Sequence, residues 1–110
     1  LAEDLVKAGA DIIQTEGGTS SNPIHSGTLG LIEKAAPTLA AAYEISRAVS
    51  VPVLCASGVS NVTAPMAIAA GAAGVGVGSA INQLNSEIAM IAAVRSLVES
   101  LATANTRIFA

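Results

Sequence analysis

Apolar residues along this chain fall into two alternating patterns: short continuous runs, and longer stretches with three- and four-residue spacing. The short runs are Asp11–Thr15, Val51–Ala56 and Gly74–Val77. Runs of this length, bounded by Gly, Pro, Ser or Asn, predict strands. Pro52 stands at the start of the second, where a missing N–H is tolerated. Helix patterns lie between them. Leu1–Ala8 predicts a short helix closed by Gly9. Leu29–Ala35 predicts another, stopped at Pro37 because proline pushes Ala36 toward extended geometry. Thr38–Val49 predicts a separate helix with Ala41, Ile45, Ala48 and Val49 as its apolar stripe and Glu44 and Arg47 off it. Ala64–Ala70 predicts a helix capped by Asn61 or Thr63, with Pro65 in its first turn and Gly71 at its end. In Gln83–Leu101 the stripe is Leu84, Ile88, Ile91, Val94, Val98 and Leu101, with Glu87, Arg95 and Glu99 on the wet face. Residues 103–110 are expected as a tail.

The predicted order alternates helical segments with strands, with crossovers too long for hairpins. Strands so connected run parallel, joined by right-handed helical crossovers. A doubly wound open sheet and a barrel both satisfy that pattern. Composition agrees: 52% of the residues are hydrophobic and only 2% aromatic. Ala, Val, Ile and Leu therefore build the core, as in parallel sheets covered on both faces.

Charge removes two classes of function. A net charge of −3, without a Lys/Arg cluster or an aromatic platform, leaves no nucleic-acid footprint. The uncharged run from Ala48 to Ser86 reaches membrane-spanning length, and Gly74 and Gly78 have GxxxG spacing. Clustered glycines, Pro65 and the lack of basic or aromatic anchors turn that reading away from a membrane. The single cysteine, Cys55, excludes an internal disulfide framework.

Two segments separate barrel from open sheet. Val51–Val59, Val-Pro-Val-Leu-Cys-Ala-Ser-Gly-Val, resembles the seventh strand and loop of phosphate-binding α/β barrels. Ala70–Ile81, Ala-Gly-Ala-Ala-Gly-Val-Gly-Val-Gly-Ser-Ala-Ile, resembles the eighth strand with its short helical turn, and Gly9–Ile13 then leads into strand six. Three longer stretches resemble the hypothetical chloroplast open reading frame 23 family of plastids and cyanobacteria: Ala10–Thr19, Leu29–Tyr43 and Thr63–Ile81. The resemblance covers nearly all of residues 1–102. It implies strands six to eight of a TIM (β/α)8 barrel, a single domain of which residues 1–102 form the C-terminal portion. It also implies a plastid location, or the cytoplasm in a cyanobacterium, and no particular reaction. A complete barrel takes ~250 residues, and the family's members are longer, so the 110-residue chain is expected to be a fragment and to self-associate through its open edges.

In such barrels the site lies at the C-terminal ends of the strands, with phosphate bound by the loops after strands seven and eight. Here those loops carry Ser57 and Gly58, and Gly76, Gly78, Ser79 and Ala80. Glycine lets an oxyanion reach backbone amides without a basic side chain. A dinucleotide fingerprint fails, because the third glycine would fall at Ile81. Glu16 ends the first strand; if Gln14 faces the interior, alternation turns Glu16 the same way, as a base, hydroxyl binder or cation ligand. The reading of Glu16 as a rim carboxylate stays open beside it. Gly17, Gly18 and Thr19 follow in a polar loop able to wrap a ligand backbone-first, and His25 closes that loop without an evident partner. Cys55 reads as a small buried apolar residue, and Lys7 and Lys34 as helix-surface residues. One His, one Cys and one placed carboxylate do not make a metal site.

Two functions from different classes follow. One is an enzyme-type barrel binding a small phosphorylated metabolite or a flavin-like cofactor, with Glu16 as its acid or base. The other is a non-catalytic metabolite-sensing or assembly barrel. Barrels of the thiazole-synthase or indole-glycerol-phosphate type are a third possibility by analogy of fold alone.

Overall fold

A computed structural model describes residues 1–16 and 24–109, with Ser79, Ala80 and 103–109 followed by backbone only. In chain order the elements are α1 (Ala2–Lys7), β1 (Ile13–Thr15), α2 (Gly27–Ala48), β2 (Val53–Ala56), α3 (Ala64–Ala70), β3 (Gly74–Gly76), α4 (Ser79–Asn82) and α5 (Glu87–Phe109). The three strands form one sheet in the order β1-β2-β3. Both pairings are parallel, with Ile13, Gln14 and Thr15 opposite Val53, Leu54 and Cys55, and Leu54, Cys55 and Ala56 opposite Gly74, Val75 and Gly76. The fold is α/β with a small parallel sheet, as the alternation of runs predicts.

Alternation assigns the two faces of the sheet. Ile13, Thr15, Val53 and Cys55 are buried under the helices, whereas Gln14 between them is exposed. α2 packs on β1 and β2, α3 on β3 and on both α2 and α5, so the helices form one continuous layer. The opposite face carries Gln14, Leu54 and the two glycines of β3. A Cβ at Gly74 would lie 3.1 Å from the Leu54 side chain, and one at Gly76 3.2 Å from Ala56 Cβ. That face is therefore shallow at β3, where no side chain rises from it.

Several helical expectations change. Pro37 does not end a helix: α2 runs unbroken from Gly27 to Ala48 around it. An internal proline costs ~3 kcal/mol through a lost hydrogen bond and a ring clash. Contacts on both sides of Pro37 hold the helix through it, because Ala35, Thr38 and Ala42 are all fully buried against the sheet. Those residues, with Leu39 and Ile45, form the inward stripe, and Ala48 is exposed. The stripe of α5 also differs. Ile88 is 80% exposed and Val98 60%, with Ile91 and Val94 about half exposed. Leu101 of the expected stripe does face the core, and Leu97 joins it, together with the half-buried small residues Ala93, Ser96 and Ser100 that permit close approach. α5 is apolar on two faces, and periodicity followed the larger residues on the outer one. Its start is Glu87 rather than Gln83, because Ser86 Oγ accepts the Ala89 N–H as an N-terminal cap. Residues 103–109, expected as a tail, continue the helix.

The uncharged run resolves into β2, α3, β3 and α4. Among the described residues no helix is long and apolar enough to cross a membrane.

Candidate functional site

Parallel strands end together, and their C-terminal ends leave backbone groups unpaired by the sheet. Over those ends lies a pocket of about 490 Å³. Gln14 and Glu16 line it from β1, Ala56 to Ser60 from the turn after β2, and Gly76, Val77 and Gly78 from the turn after β3. Leu31 and Lys34 of α2 close its outer side.

The turn after β2 is the most constrained part. Ser57 and Gly58 both have φ of +77°. A left-handed residue other than glycine carries strain of about 1 kcal/mol or more, so Ser57 is held there by its surroundings. Gly58 has a second constraint, since an added Cβ would lie 2.8 Å from the Lys34 carbonyl oxygen and 3.2 Å from Lys34 Cγ. Beyond it, Thr63 Oγ1 accepts the Ser60 N–H at 2.9 Å and fixes the loop as it enters α3. Thr63 stands at the N-cap position of α3, yet its hydroxyl bonds this loop rather than a helical amide.

The turn after β3 is constrained differently. Gly78 has no positive φ, and a Cβ there would meet nothing within 4 Å. Among the described residues neither backbone conformation nor packing requires glycine at 78. Its Cα faces open space at the pocket.

Glu16 and Gln14 are both exposed and both line the pocket, the relation that period-two alternation predicted from Gln14. Gly17, Gly18 and Thr19 lie outside the described residues. The backbone of Ser79 and Ala80 opens α4, directly after Gly78. Cys55 is fully buried, and its thiol points at Thr38 Oγ1, 3.7 Å away.

Two residues take positions that pattern alone did not assign. Lys34, expected only as helix surface, is exposed but stands at the pocket wall. Its place depends on the turn after β2 leaning against α2, a contact with no local signature other than Gly58. His25 has a partner after all: its Nδ1 lies 2.7 Å from Glu33 Oε1. The Glu33 carboxylate also accepts the backbone N–H groups of Ile24 and His25, so it ties down the segment entering α2. The His25 hydrogen bond, with these amides, holds the Glu33 carboxyl below its ordinary value. Neither residue of the pair lines the pocket, although Glu33 directly precedes Lys34, which does. Among the described residues no group of three metal-ligating side chains comes together.

Comparison with known proteins adds relatives and a fold. The chain is 42% identical over 84 residues to "Uncharacterized protein ycf23" of Porphyra purpurea, covering 76% of this chain and 32% of that protein. It is 37% identical over 91 residues to the protein of the same name in Pyropia yezoensis, covering 83% and 33%. The chain thus spans about a third of the length of these relatives, which are plastid-encoded proteins of algae. Among solved structures, FabK from Thermotoga maritima, a TIM barrel, superposes with a TM-score of 0.53 and 29% identity, over 71% of this chain and 22% of that one. In the crystal structure of the Amycolatopsis orientalis BexX/CysO complex, a chain superposes over 96% of this one and 40% of its own length, with a TM-score of 0.57. At 21% identity that likeness is one of fold alone. The family described as "Protein of unknown function (DUF561)" matches residues 1–107, and the chain belongs to it.

Proposed function

We propose that this chain forms strands six to eight of a TIM barrel, and that its pocket binds a small phosphorylated metabolite or a flavin-like cofactor. The observation that carries the reading is Gly78. It borders a pocket over the ends of three parallel strands, and among the described residues neither a positive φ nor a close neighbour calls for glycine there. Phosphate sites in α/β barrels are built at this place, from the loops after the last two strands. Ser57, Gly58, Gly76, Gly78, Ser79 and Ala80 would hold the anion through their backbone. Glu16 lies across the pocket, beyond the end of β1, as the acid, base or hydroxyl-binding group.

The barrel part of the reading has four supports. The helices lie on one face only, the other face keeps Gln14 exposed and Leu54 half-buried, and FabK, a barrel, is 29% identical over 71% of the chain. Apolar side chains also stand exposed at both flanks: Leu1, Leu5 and Ile12 beside β1, and Ile88, Ile91 and Val98 on α5. Barrel neighbours would cover both. Residues 1–102 then belong to one domain, and a plastid is the compartment that the algal relatives suggest.

Thermal shift on a full-length family member tests the site. Flavin mononucleotide or inorganic phosphate at a hundred times its Kd should stabilise the fold by about 2.7 kcal/mol. Gly78→Val should remove that shift while leaving the melting temperature of the free protein nearly unchanged. No shift with either compound at millimolar concentration would make these loops purely structural.

A further inference from the structure

We propose that Lys34 is the side chain that pairs with the phosphate of the ligand, and that the site therefore selects phosphate monoesters bearing hydrogen-bond donors at their other end. The inference rests on the phosphate-site reading above and adds a charged recognition group to a site otherwise built from backbone.

Three observations place Lys34 there. It lines the pocket together with Ser57, Gly58 and Gly78. Its position is anchored from within: Thr38, four residues on and hence on the same helix face, is fully buried and hydrogen-bonded to the Ala56 carbonyl at the end of β2. Lys34 therefore sits one helical turn, ~5.4 Å, from a point fixed to the strand that ends in the Ser57–Gly58 turn. Finally, that turn is fitted to Lys34, because only glycine at 58 clears the Lys34 carbonyl and Cγ. Lys34 is exposed and makes no ion pair among the described residues. A lysine elsewhere on the outer surface of α2 would have none of these constraints.

The other charged group lining the pocket sets the orientation of the ligand. Glu16 follows β1, whereas Lys34 stands against the Ser57–Gly58 turn after β2, so the two charges line the pocket at different strand ends. A phosphate dianion is repelled from the Glu16 side and attracted to the Lys34 side. Hydroxyl or amino groups at the far end of the ligand can then donate to Glu16 and to the Gln14 carbonyl.

Isothermal titration of the full-length protein with inorganic phosphate, at low and at moderate salt, tests this. Lys34→Met keeps the aliphatic stem beside Gly58 and removes only the charge; Lys34→Gln serves as a second charge-free variant. Both should bind phosphate about tenfold more weakly than the parent, the usual scale for a charge-assisted hydrogen bond. Lys34→Arg should keep most of the affinity, and the charge-free variants should lose much of the parent's salt dependence. If the parent binds phosphate and both charge-free variants match it, the assignment of Lys34 is overturned while the backbone site stands. If the parent itself does not bind phosphate, the site reading falls and Lys34 with it.

Discussion

The hydroxyls of Thr15 and Thr38 lie 2.7 Å apart in the buried interior, joining β1 to α2. Thr38 Oγ1 also donates to the Ala56 carbonyl oxygen, at 2.5 Å. A hydroxyl has one proton, so Thr38 must accept from Thr15. The relay runs from Thr15 through Thr38 to the end of β2, and it ties three elements together directly beneath the pocket.

Thr38→Val should therefore destabilise the full-length protein by about 1–3 kcal/mol, since it removes the side-chain donor to the Ala56 carbonyl and leaves the buried Thr15 hydroxyl only the long contact to the Thr38 carbonyl oxygen. The Thr15→Val, Thr38→Val pair should cost clearly less than the sum of the single changes, because the partners vanish together. Urea unfolding of the four proteins measures both. Additive losses would mean that the hydroxyls do not act on each other.

The glycines of the two turns should separate in a mutational test. Gly58→Ala forces a Cβ against the Lys34 carbonyl at positive φ and should cost about 2 kcal/mol or more. Gly78→Ala, with open space around it, should change stability by no more than about 0.5 kcal/mol. Equal effects would remove the distinction between a structural and a ligand-facing glycine.

Glu33 should give a defined pH dependence. Its folded-state value lies below its ordinary 4.5, chiefly through the His25 hydrogen bond. Its contribution is then fully present above that ordinary value and is lost as pH falls through the depressed one. The stability gap between the parent and Glu33→Gln should be constant near neutral pH and close in acid, below about 4.5. A gap that persists unchanged at pH 2–3 would assign it to packing rather than to the carboxylate.

Glu16→Gln keeps size and hydrogen bonding but removes the charge. In the full-length protein it should alter ligand response or turnover while shifting stability by less than about 0.5 kcal/mol, as expected of an exposed residue. Unchanged function would leave Glu16 as a rim carboxylate.

Residues 1–110 expressed alone should associate rather than remain monomeric. β1 and β3 each present an unpaired edge, and apolar side chains lie exposed at both flanks. A monodisperse 10.8 kDa species with a cooperative melt would overturn the barrel reading.

Local chemistry in the sequence determined the element order, the parallel sheet and the shared orientation of Gln14 and Glu16. Short branched runs punctuated by Gly9, Pro52 and Gly71 leave the backbone few alternatives, and strand alternation needs no knowledge of partners. Tertiary contact decided the rest. Pro37 would end an isolated helix, yet Thr38 and its buried neighbours hold α2 continuous across it, since packing outweighs a local preference of a few kcal/mol. The face of α5 that turns inward was decided by close approach of its small residues to α3, whereas a hydrophobicity pattern weighs only the large ones. Lys34 became part of the pocket only because the turn after β2 folds against α2, and a contact between residues 34 and 58 has no periodic signal.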